Sequence, residues 1–260
     1  MTDDADVVAL QPEPGGPKNH RTVDRVTRIL EEVVYNPGLT FAELARALNA
    51  PKSSVHAFIQ GLLARGWLYE DDRRFYLGPA IYGLTLASGQ IRAGHVSQAD
   101  LNALHEATGM TVFLGVEAGG SLIYIAEAGT NALTGFAARS NIRRKLINTA
   151  GGKALLAAKS DADREAYLRR RLVDDAEAVN QFLSEFAEIR RTGISRNFRH
   201  HGAQIAFATV VRNQAGESVA VAILVGQTSE FAPREQEICR ILLDHVSKWS
   251  QRRYSAREAI

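Results

Sequence analysis

The amino-acid sequence predicts an α+β protein in which a small helical domain precedes a larger domain, an antiparallel sheet with helical cover. Apolar residues recur at helical spacing from Arg21 to Gly66, and glycine-containing turns join apolar runs in the second half of the chain. Helical patterns lie between those runs, which is typical of one domain that mixes strands with helices. The length of 260 residues is sufficient for both domains.

Composition limits the class of protein. Hydrophobic residues make up 45% and charged residues 23% of the chain, which are the proportions of an ordinary globular protein. The chain begins with an acidic segment, contains a single cysteine, Cys239, and has no apolar run near the roughly 20 residues that a membrane span needs. We therefore expect a cytoplasmic protein with no secretory signal, no internal disulfide and no membrane association.

The N-terminal domain is predicted at residues 20–78, after a disordered tail at residues 1–19 that is rich in proline and glycine. The first helix of this domain ends at Pro37. The second begins with a capping box at Thr40, and the third ends at Gly66.

Two short aromatic strands follow the third helix. They are predicted at Trp67–Tyr69 and Phe75–Leu77, with a charged tip between them. Three helices followed by such a hairpin form a winged helix-turn-helix.

The third helix has one face that core packing does not explain. Its apolar residues lie on one side, and the opposite side carries small and polar side chains: Lys52, Ser53, Ser54, His56 and Gln60. Such a face fits the major groove of double-stranded DNA, where short polar groups reach the base edges. Arg73 and Arg74 at the tip of the hairpin would contact phosphates. Because the domain is nearly neutral overall, the attraction must come from the positions of its charges.

The second domain is predicted at residues 97–253, after a linker helix at residues 79–96. Its first hairpin pairs Thr111–Ala118 with Ser121–Ala128 across two glycines. Further strands are expected at residues 133–138, 204–212 and 218–225, and helices near residues 101–109, 149–159, 165–172, 179–191 and 238–249.

The templates for catalysis are not matched. The segment from Gly119 lacks the second glycine of a nucleophile elbow, and Gly152-Lys153 lacks the other residues of a phosphate-binding loop. His200 and His201 are predicted in an extended segment, where adjacent side chains point to opposite faces and do not form a metal site. We expect no catalytic residue, no cofactor and no metal. Two other hypotheses stay open at this point: an enzyme with an accessory helix-turn-helix, and a protein-interaction module.

Several segments together carry a resemblance to a known family. They are Leu39-Thr40 with Glu43-Leu44-Ala45, Pro51–His56, Arg65-Gly66, Tyr76-Leu77-Gly78 and Thr149–Ala157. These segments resemble the IclR-type transcription regulators. The resemblance implies a dimeric winged helix that binds a palindromic operator, a GAF-like C-terminal domain that binds a small metabolite, and in many cases a pair of dimers. We expect a ligand-responsive transcription regulator that acts as a repressor; whether the effector releases or recruits DNA binding stays open. The chain departs from the family at Ala57, where arginine is usual.

The expected effector site lies in the second domain. Thr149 to Gly152 are small residues at a helix start, where backbone N–H groups favour an anion; close packing of this helix start against the sheet is the alternative. The resemblance places apolar pocket positions on two strands, and two arginines before them would add charge-assisted hydrogen bonds. We expect a carboxylate with a hydrophobic body as effector. The expected contacts are Thr149, Ala150, Gly151, Gly152, Arg196, Arg199, Ile205, Ile223 and Val225.

Overall fold

The computed structural model describes residues 20–87, 96–129 and 143–251. Their contacts divide the chain into two compact units, one on each side of residue 92. The strand predicted at residues 133–138 lies outside the described residues. Among the described helices, none combines the length and the apolar character that a membrane crossing requires.

The N-terminal unit contains helices and a small antiparallel sheet. Its elements are α1 (Arg21–Tyr35), β1 (Leu39–Thr40), α2 (Phe41–Ala47), α3 (Lys52–Ala64), β2 (Leu68–Asp71), β3 (Arg74–Leu77) and α4 (Pro79–Ala87). The strand order is β1-β3-β2. Strand β1, which has only two residues, was not predicted from the sequence. The described helical part of the linker ends at Ala87.

Local sequence explains how this unit folds. The predicted capping box is confirmed: the Thr40 hydroxyl accepts the Glu43 backbone N–H, and the Glu43 carboxylate accepts the Thr40 N–H at 2.8 Å. The apolar faces of α1, α2 and α3 meet in one core that includes Ile29, Leu44 and Ile59. This core fixes one face of α3 and leaves the other face on the surface.

The C-terminal unit contains a six-stranded sheet with helices on both faces. Its strands are β4 (Thr111–Ala118), β5 (Ser121–Ala128), β6 (Arg143–Lys145), β7 (Ser195–Arg199), β8 (Gln204–Arg212) and β9 (Ser218–Gln227). Its α-helices are α5 (Gln98–Thr108), α6 (Ala150–Ala158), α7 (Asp161–Arg171), α8 (Ala176–Thr192), α9 (Thr228–Phe231) and α10 (Glu235–Ser250). Neither β6 nor β7 was predicted from the sequence.

The sheet is antiparallel throughout, in the order β6-β5-β4-β9-β8-β7. One face, here called the α6 face, packs against α6 with α7 and α8 beyond it, and buries Phe113, Leu122 and Ile223. The other face, here called the α10 face, packs against α5 and α10 and buries Phe207 and Trp249. Side chains alternate between these faces along each strand. The predicted α+β class is confirmed.

The two-unit division predicts that the C-terminal unit folds alone. A fragment that begins at Ser97 retains both cores of the sheet, because every buried residue of those cores lies after Val96. We expect this fragment to unfold in one cooperative transition with urea, followed by circular dichroism, with the full-length protein as control. A fragment that lacks a cooperative transition would contradict the division.

Candidate functional site

The outer surface of α3 consists of small and polar side chains. Val55, Ile59 and Leu62 are buried on the inner side. The predicted residues Lys52, Ser53, His56 and Gln60 are exposed, Ser54 is half-buried, and Ala57, Gly61 and Ala64 are exposed beside them. The structure therefore places the predicted helix residues together on one accessible surface.

One contact joins this surface to the preceding helix. The His56 ring meets the Phe41 ring edge-on, with 5.9 Å between centroids and an interplanar angle of 71°. Phe41 is the first residue of α2, so the contact fixes the His56 ring against the start of that helix. The imidazole therefore has a defined position at one border of the α3 surface.

The two arginines of the hairpin tip have different environments. Register pairs Asp71 with Arg74, so the loop consists of Asp72 and Arg73, both with positive φ, as in a type I′ turn. The tip is thus shorter than the sequence predicted. Arg73 is exposed on this loop. Arg74 donates from Nη1 to the Gly38 carbonyl at 2.7 Å and fastens the hairpin to the turn before β1.

In the C-terminal unit, the start of α6 is closely packed. Thr149 caps the helix: its hydroxyl accepts the Gly152 N–H at 3.0 Å, and its own N–H donates to the Leu146 carbonyl. A Cβ at Gly151 would lie 2.6 Å from Ile223 Cδ1, and a Cβ at Gly152 would overlap the Leu146 carbonyl. The expectation of open N–H groups throughout this segment is wrong for Thr149 and Gly152, and the glycines are required by close packing.

Strand β7 holds this helix start from the side. The Ser195 hydroxyl donates to the Ala150 carbonyl, and the Asn197 side-chain amide donates to the Asn148 carbonyl at 3.1 Å. Both side chains point to the α6 face. Because side chains on a strand alternate, Arg199 points to the same face, two residues beyond Asn197.

Arg199 contributes to a cationic region around a tyrosine of the α6 face. Burial raises the pKa of the Tyr124 phenol, and the positive charges of Arg144 and Arg199 act in the opposite direction. The two charges oppose the effect of burial on the Tyr124 phenol, although β4, β9 and β8 lie between β5 and β7 in the sheet order. The Tyr124 ring lies against the Phe113 ring, with centroids 5.3 Å apart. An aromatic surface with positive charge beside it can accommodate the anion of an aromatic or aliphatic acid.

The apolar residues predicted for the effector site separate onto the two faces. Ile223 and Val225 belong to the α6 face, with Phe113 and Tyr124. Ile205 belongs to the core of the α10 face. The register pairs Val225 with Ala206 rather than Ile205. The prediction that Ile205 joins the other two is wrong, because it is one residue out of phase with them.

Arg196 is also placed away from Arg199. It makes an ion pair with Glu235 of α10, with 2.7 Å between Nη1 and Oε1. Positions 196 and 199 differ by three residues along β7 and so lie on opposite faces. Only Arg199 of this predicted pair belongs with Tyr124.

A surface groove of about 310 Å³ lies elsewhere, near the C-terminal ends of α6 and α8. Ala157, Arg190, Val210 and Arg212 are among the residues that line it. None of the predicted effector contacts belongs to its lining.

The single cysteine and the two adjacent histidines considered in the sequence are placed as follows. Burial raises the pKa of the Cys239 thiol to about 11, so it is protonated at neutral pH. His200 and His201 have left-handed backbone conformations in the turn after β7, which corrects the predicted extended segment. No group of three His, Cys, Asp or Glu side chains in the described ranges could hold a metal ion.

The aromatic part of this region was not predicted from the sequence. Phe113 and Tyr124 lie on strands that were predicted with the observed bounds, and the alternation of β4 and β5 could have assigned their face. The contact of Asn197 with the Asn148 carbonyl and the face of Arg199 both follow from β7. This strand was not predicted, because its sequence is polar.

Comparison with known proteins agrees with this architecture. Residues 22–72 match the IclR helix-turn-helix domain, and residues 86–251 match the C-terminal domain of the bacterial transcriptional regulator IclR. The chain therefore belongs to the IclR family of bacterial transcriptional regulators, with a DNA-binding helix-turn-helix domain in its N-terminal unit.

The individual proteins that this chain resembles share limited sequence identity with it. The chain is 31% identical over 153 residues to the HTH-type transcriptional regulator BhcR of Paracoccus denitrificans; the match covers 57% of this chain and 54% of that protein. The crystal structure of a regulator from Alicyclobacillus acidocaldarius has a TM-score of 0.71 at 20% identity, over 90% of this chain and 98% of that one. An IclR homologue of Microbacterium hydrocarbonoxydans, complexed with 4-hydroxybenzoate, has a TM-score of 0.67 at 17% identity, over 88% and 99% of the two chains.

Close packing at the start of α6 leads to a stability prediction. Gly152→Ala should lower the free energy of unfolding by about 1–3 kcal/mol or more, because the added methyl overlaps backbone that cannot rotate away. Gly83→Ala in α4, which has nothing within 4 Å of its added methyl, serves as control. Urea denaturation measures both. An unchanged midpoint for Gly152→Ala would show that α6 is not packed as described.

Proposed function

We propose that this protein is a ligand-responsive transcription repressor whose α3 enters the major groove of operator DNA and whose C-terminal unit binds an organic acid. The DNA part of the proposal rests on the accessible polar surface of α3. The opposite face of this helix packs in the core. In a helix-turn-helix, such a surface of the second helix contacts base edges. A twofold assembly, as a dimer or a pair of dimers, would match a palindromic operator.

Charges around α3 have positions that suit phosphate contacts. Lys52 is exposed at the first turn of the helix, and Arg73 is exposed at the tip of the hairpin. Arg74 holds the hairpin in place through the Gly38 carbonyl, so we assign it to positioning Arg73. In this arrangement the cations orient the protein, and the α3 surface selects the sequence.

Replacement of Lys52 tests the groove assignment. Lys52→Ala should weaken binding to every DNA sequence and reduce the slope of log affinity against log salt by about one unit, since one phosphate contact is lost. Lys159→Ala is a matched control, because Lys159 pairs with Glu117 at 2.8 Å in the other unit. A mobility-shift titration at several salt concentrations measures both variants. Equal effects of the two substitutions would contradict the assignment.

The effector part of the proposal rests on the region around Tyr124. Arg199 supplies positive charge, the Tyr124 phenol supplies a hydrogen-bond donor, and the buried Phe113 and Val225 form the apolar core of the same face. An acid with a hydrophobic body uses all of these groups. A two-carbon acid offers little area for burial, which contributes only about 25 cal/mol per Å². The 4-hydroxybenzoate complex of the Microbacterium hydrocarbonoxydans homologue supports the proposal of this chemical class.

A thermal-shift screen tests the effector class. Aromatic and medium-chain acids should raise the midpoint of thermal unfolding more than their matched amides and more than acetate. Arg199→Ala should remove the difference between acids and amides. Arg196→Ala should preserve it, because Arg196 pairs with Glu235 on the other face. Equal stabilisation by acids and amides in the wild-type protein, or a preference for acetate, would contradict the proposal.

A further inference from the structure

The centre of the α3 surface contains one long side chain. At 100° per residue, Ser53, Ala57, Gln60 and Ala64 fall within a sector of roughly 60°, opposite the buried Val55, Ile59 and Leu62. Ala57, Gln60 and Ala64 are all exposed. Gln60 therefore projects from a stripe whose other members end at a methyl or a hydroxymethyl group.

The cations of this helix lie away from that stripe. Lys52, at the first residue, and Arg65, just after the last, are each roughly 100–120° from the direction of Ser53 and on opposite sides of it. When the stripe faces the floor of a groove, these two side chains face its two phosphate walls. Neither is placed to read guanine, the base that arginine and lysine recognise through O6 and N7.

Gly61 adds an independent observation. It lies in the middle of an exposed helical face, where glycine weakens a helix, and nothing is within 4 Å of the position of an added Cβ. Its φ is that of an ordinary helical residue, so backbone conformation does not require glycine. Packing among the described residues gives no reason for its presence. Close approach of another molecule to the helix backbone is a reason for glycine at this position.

We propose that the operator half-site carries A·T pairs beneath the middle of α3, with Gln60 reading an adenine and the Ala57 methyl contacting the 5-methyl group of a thymine. A glutamine amide matches adenine, since it donates to N7 and accepts from the N6 amino group. Small residues at Ala57, Gly61 and Ala64 allow the helix to approach closely enough for a methyl–methyl contact. This inference rests on the proposed entry of α3 into the major groove.

The test uses the full-length protein and an operator selected from random duplex DNA. Each base pair of the selected half-site is replaced in turn, and affinities are measured at fixed salt. We expect wild-type protein to lose affinity at A·T pairs under α3. At one adenine per half-site, Gln60→Ala should reduce the ratio of affinities for adenine and for other bases by about 5- to 150-fold. The ratios at the other positions should stay unchanged.

Thymine methyl recognition has a test that needs no variant. Deoxyuridine in place of one thymidine per half-site deletes only the 5-methyl group, and wild-type protein should bind this DNA several-fold more weakly. Ala57→Gly should bind both DNAs equally. Gly61→Ala should raise the thermal midpoint of the free protein and yet weaken operator binding, because the added methyl favours the helix but meets the DNA.

The outcomes distinguish failure of the proposed groove entry by α3 from failure of the base assignment alone. If Lys52→Ala and Gln60→Ala both bind the operator as the wild type does, α3 does not enter the groove, and the proposed function fails together with this inference. If these variants change binding but the position that depends on Gln60 is a G·C pair, or if deoxyuridine binds as well as thymidine, the base assignment alone is overturned.

Discussion

The approach of helix α6 to the sheet determines where the C-terminal unit could hold a ligand. Gly151 and Gly152 remove the two side chains that would separate the helix from Ile223 and from the Leu146 carbonyl. Hydrogen bonds from Ser195 and Asn197 then hold the helix start to β7. The same strand carries Arg199 to the aromatic residues of the α6 face. The helix start is thus closely packed against its neighbours, and in the proposed effector site Arg199 supplies the positive charge.

An ion pair between a buried lysine and a half-buried glutamate contributes to the same packing. Lys153 is 1% exposed, and its ammonium lies 2.7 Å from the Glu185 carboxylate of α8. Burial lowers the pKa of Lys153, and the hydrogen bond to Glu185 opposes that shift. Because the pair joins α6 to α8, it fixes the helix from the side away from the sheet. Removal of Glu185 would leave a buried charge without compensation, which is strongly destabilising in general.

Strong local patterns predicted much of this fold, and weak ones did not. The hairpin of β4 and β5 was predicted with its observed bounds because apolar runs flank two glycines, and the cap at Thr40 was predicted from the four-residue segment Thr40–Glu43. Strand β7 was missed because an edge strand with polar side chains has little apolar alternation. Because β7 was not predicted, Arg196 and Arg199 were assigned to the same site. They are three positions apart on a strand, so their side chains lie on opposite faces. The prediction that Ile205 joins Ile223 and Val225 was wrong for a similar reason. Strand register determines the face on which Ile205 lies, and register depends on the folded sheet.

A thermodynamic cycle measures whether one chain couples operator binding to the binding of an organic acid. Operator affinity of the full-length protein is measured at fixed salt with and without a saturating concentration of the acid that stabilises it most. Affinity for the acid is then measured with and without operator DNA. We expect each ligand to change the affinity of the other by the same factor, about 5- to 150-fold for a typical allosteric coupling. Identical operator affinities with and without bound acid would contradict it.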